Sequence, residues 1–122
     1  MTINFKVAVK GLPTARVLEA VKEGCKEGCE TFITGPVQLD SLLKCPILTG
    51  AMKADHRPEP LENGTRLIAE GKSSSYVIRQ HEDSSLNHRD GKTSHWMADA
   101  LTKNADRLPE LVARAIEGKL GR

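Results

Sequence analysis

The chain is poor in aromatic residues: one Trp, one Tyr and two Phe, 3% of its 122 residues. Phe5, Phe32, Tyr76 and Trp96 are too few for a base-stacking platform along a basic groove. There is no surplus of one charge sign either. Eighteen basic residues face sixteen acidic ones, a formal net charge of +2, so no broad field draws nucleic acid or anionic lipid. No apolar run approaches the roughly 18–20 residues a transmembrane helix needs. The N-terminus, Met1-Thr2-Ile3-Asn4-Phe5-Lys6, lacks a basic stretch followed by an apolar core and does not read as a signal peptide. Three cysteines, Cys25, Cys29 and Cys45, are an odd number without export signals, and they read as reduced thiols, buried or half-buried. Cys25 and Cys29 share a helix face but have no second short-spaced pair to complete a zinc site. Gly-x-Ser-x-Gly, Gly-x-x-x-x-Gly-Lys-Ser/Thr and Gly-x-Gly-x-x-Gly are all missing, so no nucleophile elbow or phosphate loop is recognisable.

What remains is the composition of one ordinary globular domain spanning residues 1–122, 39% hydrophobic and 28% charged. Ile3, Phe5, Val7 and Val9 alternate with Asn4, Lys6, Ala8 and Lys10, a period of two that predicts a strand at residues 3–10. Gly11 ends it, and Pro13 suits the first turn of a helix. Val17, Leu18, Val21, Cys25, Cys29, Phe32 and Ile33 then recur at spacings of three and four, predicting an amphipathic helix. Gly24 and Gly28 inside it each cost about 0.5–1 kcal/mol relative to Ala, which implies a close neighbour or tolerated softness. Gly35-Pro36 should break or kink the helix. Leu39, Leu42 and Leu43 resume its spacing until Cys45-Pro46 stops it, giving a kinked helix over residues 13–43.

Residues 47–82 read as strands and turns. Asn63-Gly64 is a hairpin-turn dipeptide, with Arg66-Leu67-Ile68-Ala69-Glu70 and Tyr76-Val77-Ile78-Arg79 as adjacent antiparallel strands around the Gly71–Ser75 turn. Residues 49–56 form a weaker third strand, and Pro58 and Pro60 keep the next stretch off any central ladder position. The fold class is therefore α+β: a long N-terminal helix on an antiparallel sheet of about four strands, closed by C-terminal helices over residues 96–118. The helix should pack on a sheet face bearing Ile3, Phe5, Val7 and Leu67 or Ile68, with Trp96, Leu101, Leu111, Val112 and Ile116 completing the core. Residues 83–95 are polar and read as an exposed loop.

His56, His81, His88 and His95 all lie in the second half. The last three are spaced by seven, but the polar, Gly-containing sequence between them argues against a helix that would stack them, and they read as loop histidines. His81-Glu82 lacks the second His four residues after the first of a helical zinc protease site. No catalytic, cofactor-binding or metal-ligating residue is assigned.

The order of three motifs resembles the minor capsid or tail-completion proteins of long-tailed bacteriophages. The first is Cys45-Pro46-Ile47-Leu48-Thr49-Gly50-Ala51-Met52-Lys53, the second Tyr76-Val77-Ile78-Arg79-Gln80-His81-Glu82, the third Gly91-Lys92-Thr93-Ser94-His95-Trp96-Met97-Ala98-Asp99-Ala100-Leu101. The match extends over about residues 13–118, with Leu48 where the family often has Asp and Trp96-Met97 in place of Phe-Leu. It marks Pro46, Thr49, Gly50, Tyr76, His81, Glu82, Gly91 and Trp96 as motif positions. Gly50 is expected at a backbone conformation unfavourable for residues with a Cβ.

The resemblance implies a virion protein assembled in the host cytoplasm. It would form a homo-oligomeric, hexameric ring in the neck, touching head-connector and tail proteins while DNA passes through, with no membrane and no enzymatic role. Between residues 83 and 92 only Leu86 can be buried, so Asp83, Leu86, His88, Arg89, Asp90 and Lys92 are the candidate interface loop. A metal-dependent enzyme using His81, His88 and His95 is the least favoured alternative, and two others remain open at this point. One is a tail-terminator ring. The other is a small nucleic-acid-binding protein using Lys53, Arg57, Lys72, Arg79, Arg89 and Lys92, against which interspersed acidic residues argue.

Overall fold

The computed structural model describes residues 13–46, 50–62, 64–86, 88 and 91–121. Helix α1 (Thr14–Phe32) begins behind Pro13, whose φ of −59° suits a chain about to enter a first turn. It buries Ala20, Gly24, Gly28 and Phe32, a strip with a period of four, against the last helix, α6 (Leu108–Leu120). A Cβ on Gly28 would lie 2.6 Å from the Val112 Cα, and one on Gly24 2.7 Å from the Ile116 Cα. The two glycines therefore let the helix backbones touch, and a close neighbour is the reason they interrupt the helix.

Gly35-Pro36 does not break the helix. Residues Ile33–Val37 form one π-helical turn containing Pro36, a wider turn that absorbs a residue with no backbone donor. The chain then continues as α2 (Gln38–Lys44). Cys45 leaves the helical region at ψ 129°, as a residue before proline must. Its thiol is fully buried, and burial pushes its pKa up to about 11. Gly50 has φ +84°, the left-handed region that a Cβ disfavours, but it opens a short helix, α3 (Ala51–Ala54), and not a strand.

Strands β1 (His56–Leu61) and β2 (Gly64–Ala69) form an antiparallel hairpin, in register from His56↔Ala69 to Leu61↔Gly64. Glu70 N–H reaches the Asp55 carbonyl one step before β1. Odd-numbered residues of β1 therefore face β2, and Pro58 and Pro60 aim their missing donors at the open edge.

Among the described residues the sheet has these two strands, and the expected four are not found. The strand at 3–10, with its share of the core, lies outside the described residues. The third strand is instead α3 running into β1. Tyr76-Val77-Ile78-Arg79 is the start of helix α4 (Val77–Glu82). The reason for the last change is local. Asp55 Oδ2 accepts from Ser73 N–H at 2.7 Å and Ser73 Oγ at 2.5 Å, and the Ser73 carbonyl accepts from the amides of Tyr76 and Val77. The serine run thus coils into the helix instead of extending.

Helix α5 (Trp96–Asn104) and a 3-10 turn at Ala105–Arg107 lead into α6. The apolar interior has three parts. Ala20, Val112, Ile116 and Leu120 join α1 to α6; Phe32, Ile33, Val37 and Ala100 join the π turn to α5; Cys45, Met52, Val77 and Trp96 hold the middle of the chain together. Leu67 and Leu111 pack on the second part. Leu18 and Leu101, expected in the core, are 65% and 37% exposed. Leu18 lies a third of a turn outside the small-residue strip that α6 covers. No helix among the described residues is long and apolar enough to cross a membrane.

Candidate functional site

The chemistry-bearing side chains gather where α4 ends and α5 begins. The start of α5 is tied back to the end of α4: Ser94 Oγ donates to the Asp83 carbonyl at 3.0 Å, and His95 N–H to the His81 carbonyl at 2.6 Å. Two histidines fourteen positions apart thereby become neighbours, their rings 5.5 Å apart and inclined at 73°. His95 has φ +55°, and among the described residues no other non-glycine has positive φ. A side chain held in this region is uncommon, and such residues cluster at functional sites.

Trp96, the first residue of α5, is fully buried and organises two imidazoles. Its indole N–H donates to His56 Nε2 at 2.9 Å. An accepting Nε2 places the His56 proton on Nδ1, which donates to the Met52 carbonyl at 2.5 Å. Both nitrogens are committed and the ring is neutral. Burial holds its pKa below the usual histidine range, while the Met52 bond and Asp55 pull in the opposite direction.

His81 packs edge-on against Trp96, with centroids 4.8 Å apart. Its Nε2 accepts from Met97 N–H at 3.2 Å, satisfying a donor in the first turn of α5 that no carbonyl within the helix can reach. Nδ1 lies 2.6 Å from Glu82 Oε1. The His81 hydrogen bond, reinforced by the charges of His81 and His95, lowers the Glu82 pKa. His95 completes the group, with Nδ1 3.9 Å from Glu82 Oε2 and Nε2 3.2 Å from Ser84 Oγ. The result is a half-exposed carboxylate flanked by two imidazoles, backed by a buried tryptophan.

The other motif positions divide. Pro46 is buried, Tyr76 packs against the cluster of Cys45, Met52, Val77 and Trp96, and Gly91 is exposed at φ +72°. Thr49 lies outside the described residues, as do Arg89 and Asp90 of the candidate loop. The rest of that loop is not free chain. Asp83 accepts from Ser85, His88 Nε2 lies 3.3 Å from Ser94 Oγ, and Leu86 is half-buried. Lys92 Nζ donates to the Leu43 carbonyl at 2.6 Å, and Thr93 N–H to that of Lys44 at 3.1 Å, so the end of the loop caps α2. Reading the sequence placed His81 and His95 in or beside one open loop. It missed His56 as the partner of Trp96, because a histidine at the head of a short strand carries no signal of burial.

Of the basic residues once considered for nucleic acid, Arg57 pairs with Glu70 and Arg79 with Asp83. Next to the capped end of the loop, α2 exposes Leu39 and Leu43, 63% and 62% accessible, one helical turn apart. Beside them a cleft of about 230 Å³ between α2 and α5 is lined by Leu43, Trp96 and Ala100, with Asp40 and Lys103 at hand. No protein-family model, curated protein or solved structure matches the chain.

Proposed function

We propose that the protein is a structural virion component of a tailed phage, a tail-completion or head-to-tail joining protein that forms a ring in the neck between head connector and tail tube. It acts by contact and carries out no reaction. The motif order described above suggests the role, and the observation that carries it is the exposed apolar face of α2. Leu39 and Leu43 stand open on a helix whose C-terminal carbonyls are already capped by the loop, beside an apolar cleft. Exposed apolar patches of this kind mark protein–protein contact surfaces. The fit is to an obligate neighbour, here another copy in a homo-oligomeric, hexameric ring or a connector or tail protein. Basic side chains paired with carboxylates, with a net charge of +2, suit a channel through which DNA passes without being held. The place of action is the virion, after assembly in the host cytoplasm.

The test is genetic and structural. Phage carrying Leu39→Glu with Leu43→Glu should accumulate filled heads and free tails, while the purified variant keeps the wild-type unfolding midpoint. Several copies per particle at the neck, seen by cryo-electron microscopy, would agree with the ring. One copy per virion, or normal joining by the double variant, would overturn it. Copies found only at the end of the tail tube would assign the tail-terminator role instead.

A further inference from the structure

We infer that His81, Glu82 and His95 form a binding site for a divalent transition-metal ion, with zinc(II) the ion the donor set suits best. The inference does not depend on the neck reading, whose carrying observation is the exposed face of α2.

The three side chains each offer a ligand atom, and these atoms all lie within 4.8 Å of one another. An ion bound at about 2.0–2.2 Å from each would hold its ligands roughly 3–4 Å apart, so closure needs about 1 Å of movement, available to the more exposed Glu82 and His95 side chains while His81 rests against Trp96. His81 and Glu82 leave the same end of α4. His95 is brought to them by its own backbone, through the bond from its amide to the His81 carbonyl and its left-handed conformation. The main chain thus sets where the third ligand's side chain starts, and side-chain rotation closes the remaining distance.

Donor chemistry selects the ion. Two imidazoles and one carboxylate favour zinc, nickel or cobalt over calcium and magnesium, which prefer all-oxygen shells. Three protein ligands leave a coordination position on the open side of Glu82, which is 62% exposed, for water or for a donor from another molecule. The other histidines are excluded by geometry. Both nitrogens of His56 are already bonded within the core, and His88 turns to Ser94.

Binding also has a structural consequence. An ion at His81 Nδ1 displaces the proton now facing Glu82. In the neutral ring that proton moves to Nε2, which can then no longer accept from Met97 N–H. Coordination is therefore coupled to the first turn of α5 and to Trp96, the only tryptophan of the chain, which packs against the His81 ring.

The experiment titrates zinc(II) and nickel(II) into the full-length protein with its thiols reduced, following Trp96 fluorescence and, in parallel, heat of binding. One saturating event per chain is expected. Glu82→Gln and His95→Asn should each weaken it about tenfold or more, since even partners outside the ligand shell are worth 10–100-fold. Asparagine is chosen at position 95 because it tolerates the left-handed conformation. His88→Gln and the Cys25→Ser, Cys29→Ser double variant should bind as wild type, and circular dichroism should show every variant folded. No saturable response, binding unchanged in folded Glu82→Gln and His95→Asn, or binding lost with the two cysteines would each overturn the site.

Discussion

Adding one methyl group at Gly24 or Gly28 should push α1 and α6 apart. The Cβ of an alanine at position 28 would sit 2.6 Å from the Val112 Cα and 2.9 Å from its N, and at position 24 it would sit 2.7 Å from both the Ile116 Cα and N. Carbon atoms pack at about 3.5–4.0 Å, so the helices must separate by about 1 Å. Ile116 Cγ1 and Val112 Cγ2 also stand in the way, but the main-chain atoms are the ones no rotamer change relieves. Alanine returns about 1 kcal/mol through helix propensity, while forced overpacking costs about 1–3 kcal/mol. Separation also loosens the packing of Ala20, Val112, Ile116 and Leu120. A net loss of up to about 2 kcal/mol is expected for either change, a drop in Tm of up to roughly 8 °C for a domain of this size. The double variant should cost less than the sum, because one separation relieves both clashes.

Gly118 supplies the control. It lies in α6 with nothing within 4 Å of a built Cβ, so Gly118→Ala should gain about 0.5–1 kcal/mol. Thermal unfolding by circular dichroism reads all four proteins. If Gly24→Ala and Gly28→Ala raise Tm as Gly118→Ala does, the backbones do not touch and the account of the helix pair is wrong.

Ser41 is fully buried and its Oγ has no partner among the described residues, so Ser41→Ala should raise the urea midpoint by the equivalent of about 1 kcal/mol without changing the slope; a lower midpoint would mean the hydroxyl is bonded. His56 has its pKa lowered by burial, so below the unfolded value of about 6.5 the unfolded chain binds the extra proton first. The stability associated with His56 is complete above about pH 6.5 and is lost as pH falls from there through its folded pKa. His56→Gln should flatten the decline of Tm between pH 7 and 5, and an unchanged decline would move its origin elsewhere.

The long helices α1, α5 and α6 were legible in the sequence because their period is long and repeated. Periodicity also named most of the residues that pack between them, from Val17 to Ile116. It misjudged which stripe of α1 is central. Apolar scoring favoured Leu18, while the contact surface follows Ala20, Gly24 and Gly28, where small size matters more than hydropathy. The reading failed most over residues 49–79, where short apolar runs suit a strand or a helix equally. Asp55 decides that region by capping Ser73, and a carboxylate eighteen positions away is not visible in a local pattern. Pro58 and Pro60 were read as keeping their stretch off any central ladder position, and it was given no strand, yet it is β1. Their shared parity is what permits a strand: in a hairpin both rings can face outward, so Pro58 and Pro60 pair across from Leu67 and Thr65 without losing a ladder bond.

The histidine group shows the same limit more sharply. A spacing of seven at His81, His88 and His95 suggested a stacked helix face, and the intervening sequence ruled that helix out. The first and last of the three nevertheless meet, because a returning loop pins the His95 amide to the His81 carbonyl, while the middle one turns to Ser94. Helical periodicity plays no part in the juxtaposition. Its ingredients are a serine that closes the loop, a left-handed residue that starts α5, and a buried tryptophan against which one ring can rest. Each is a single residue whose role depends on a partner more than ten positions away, so the site appears only after the chain has folded around Trp96.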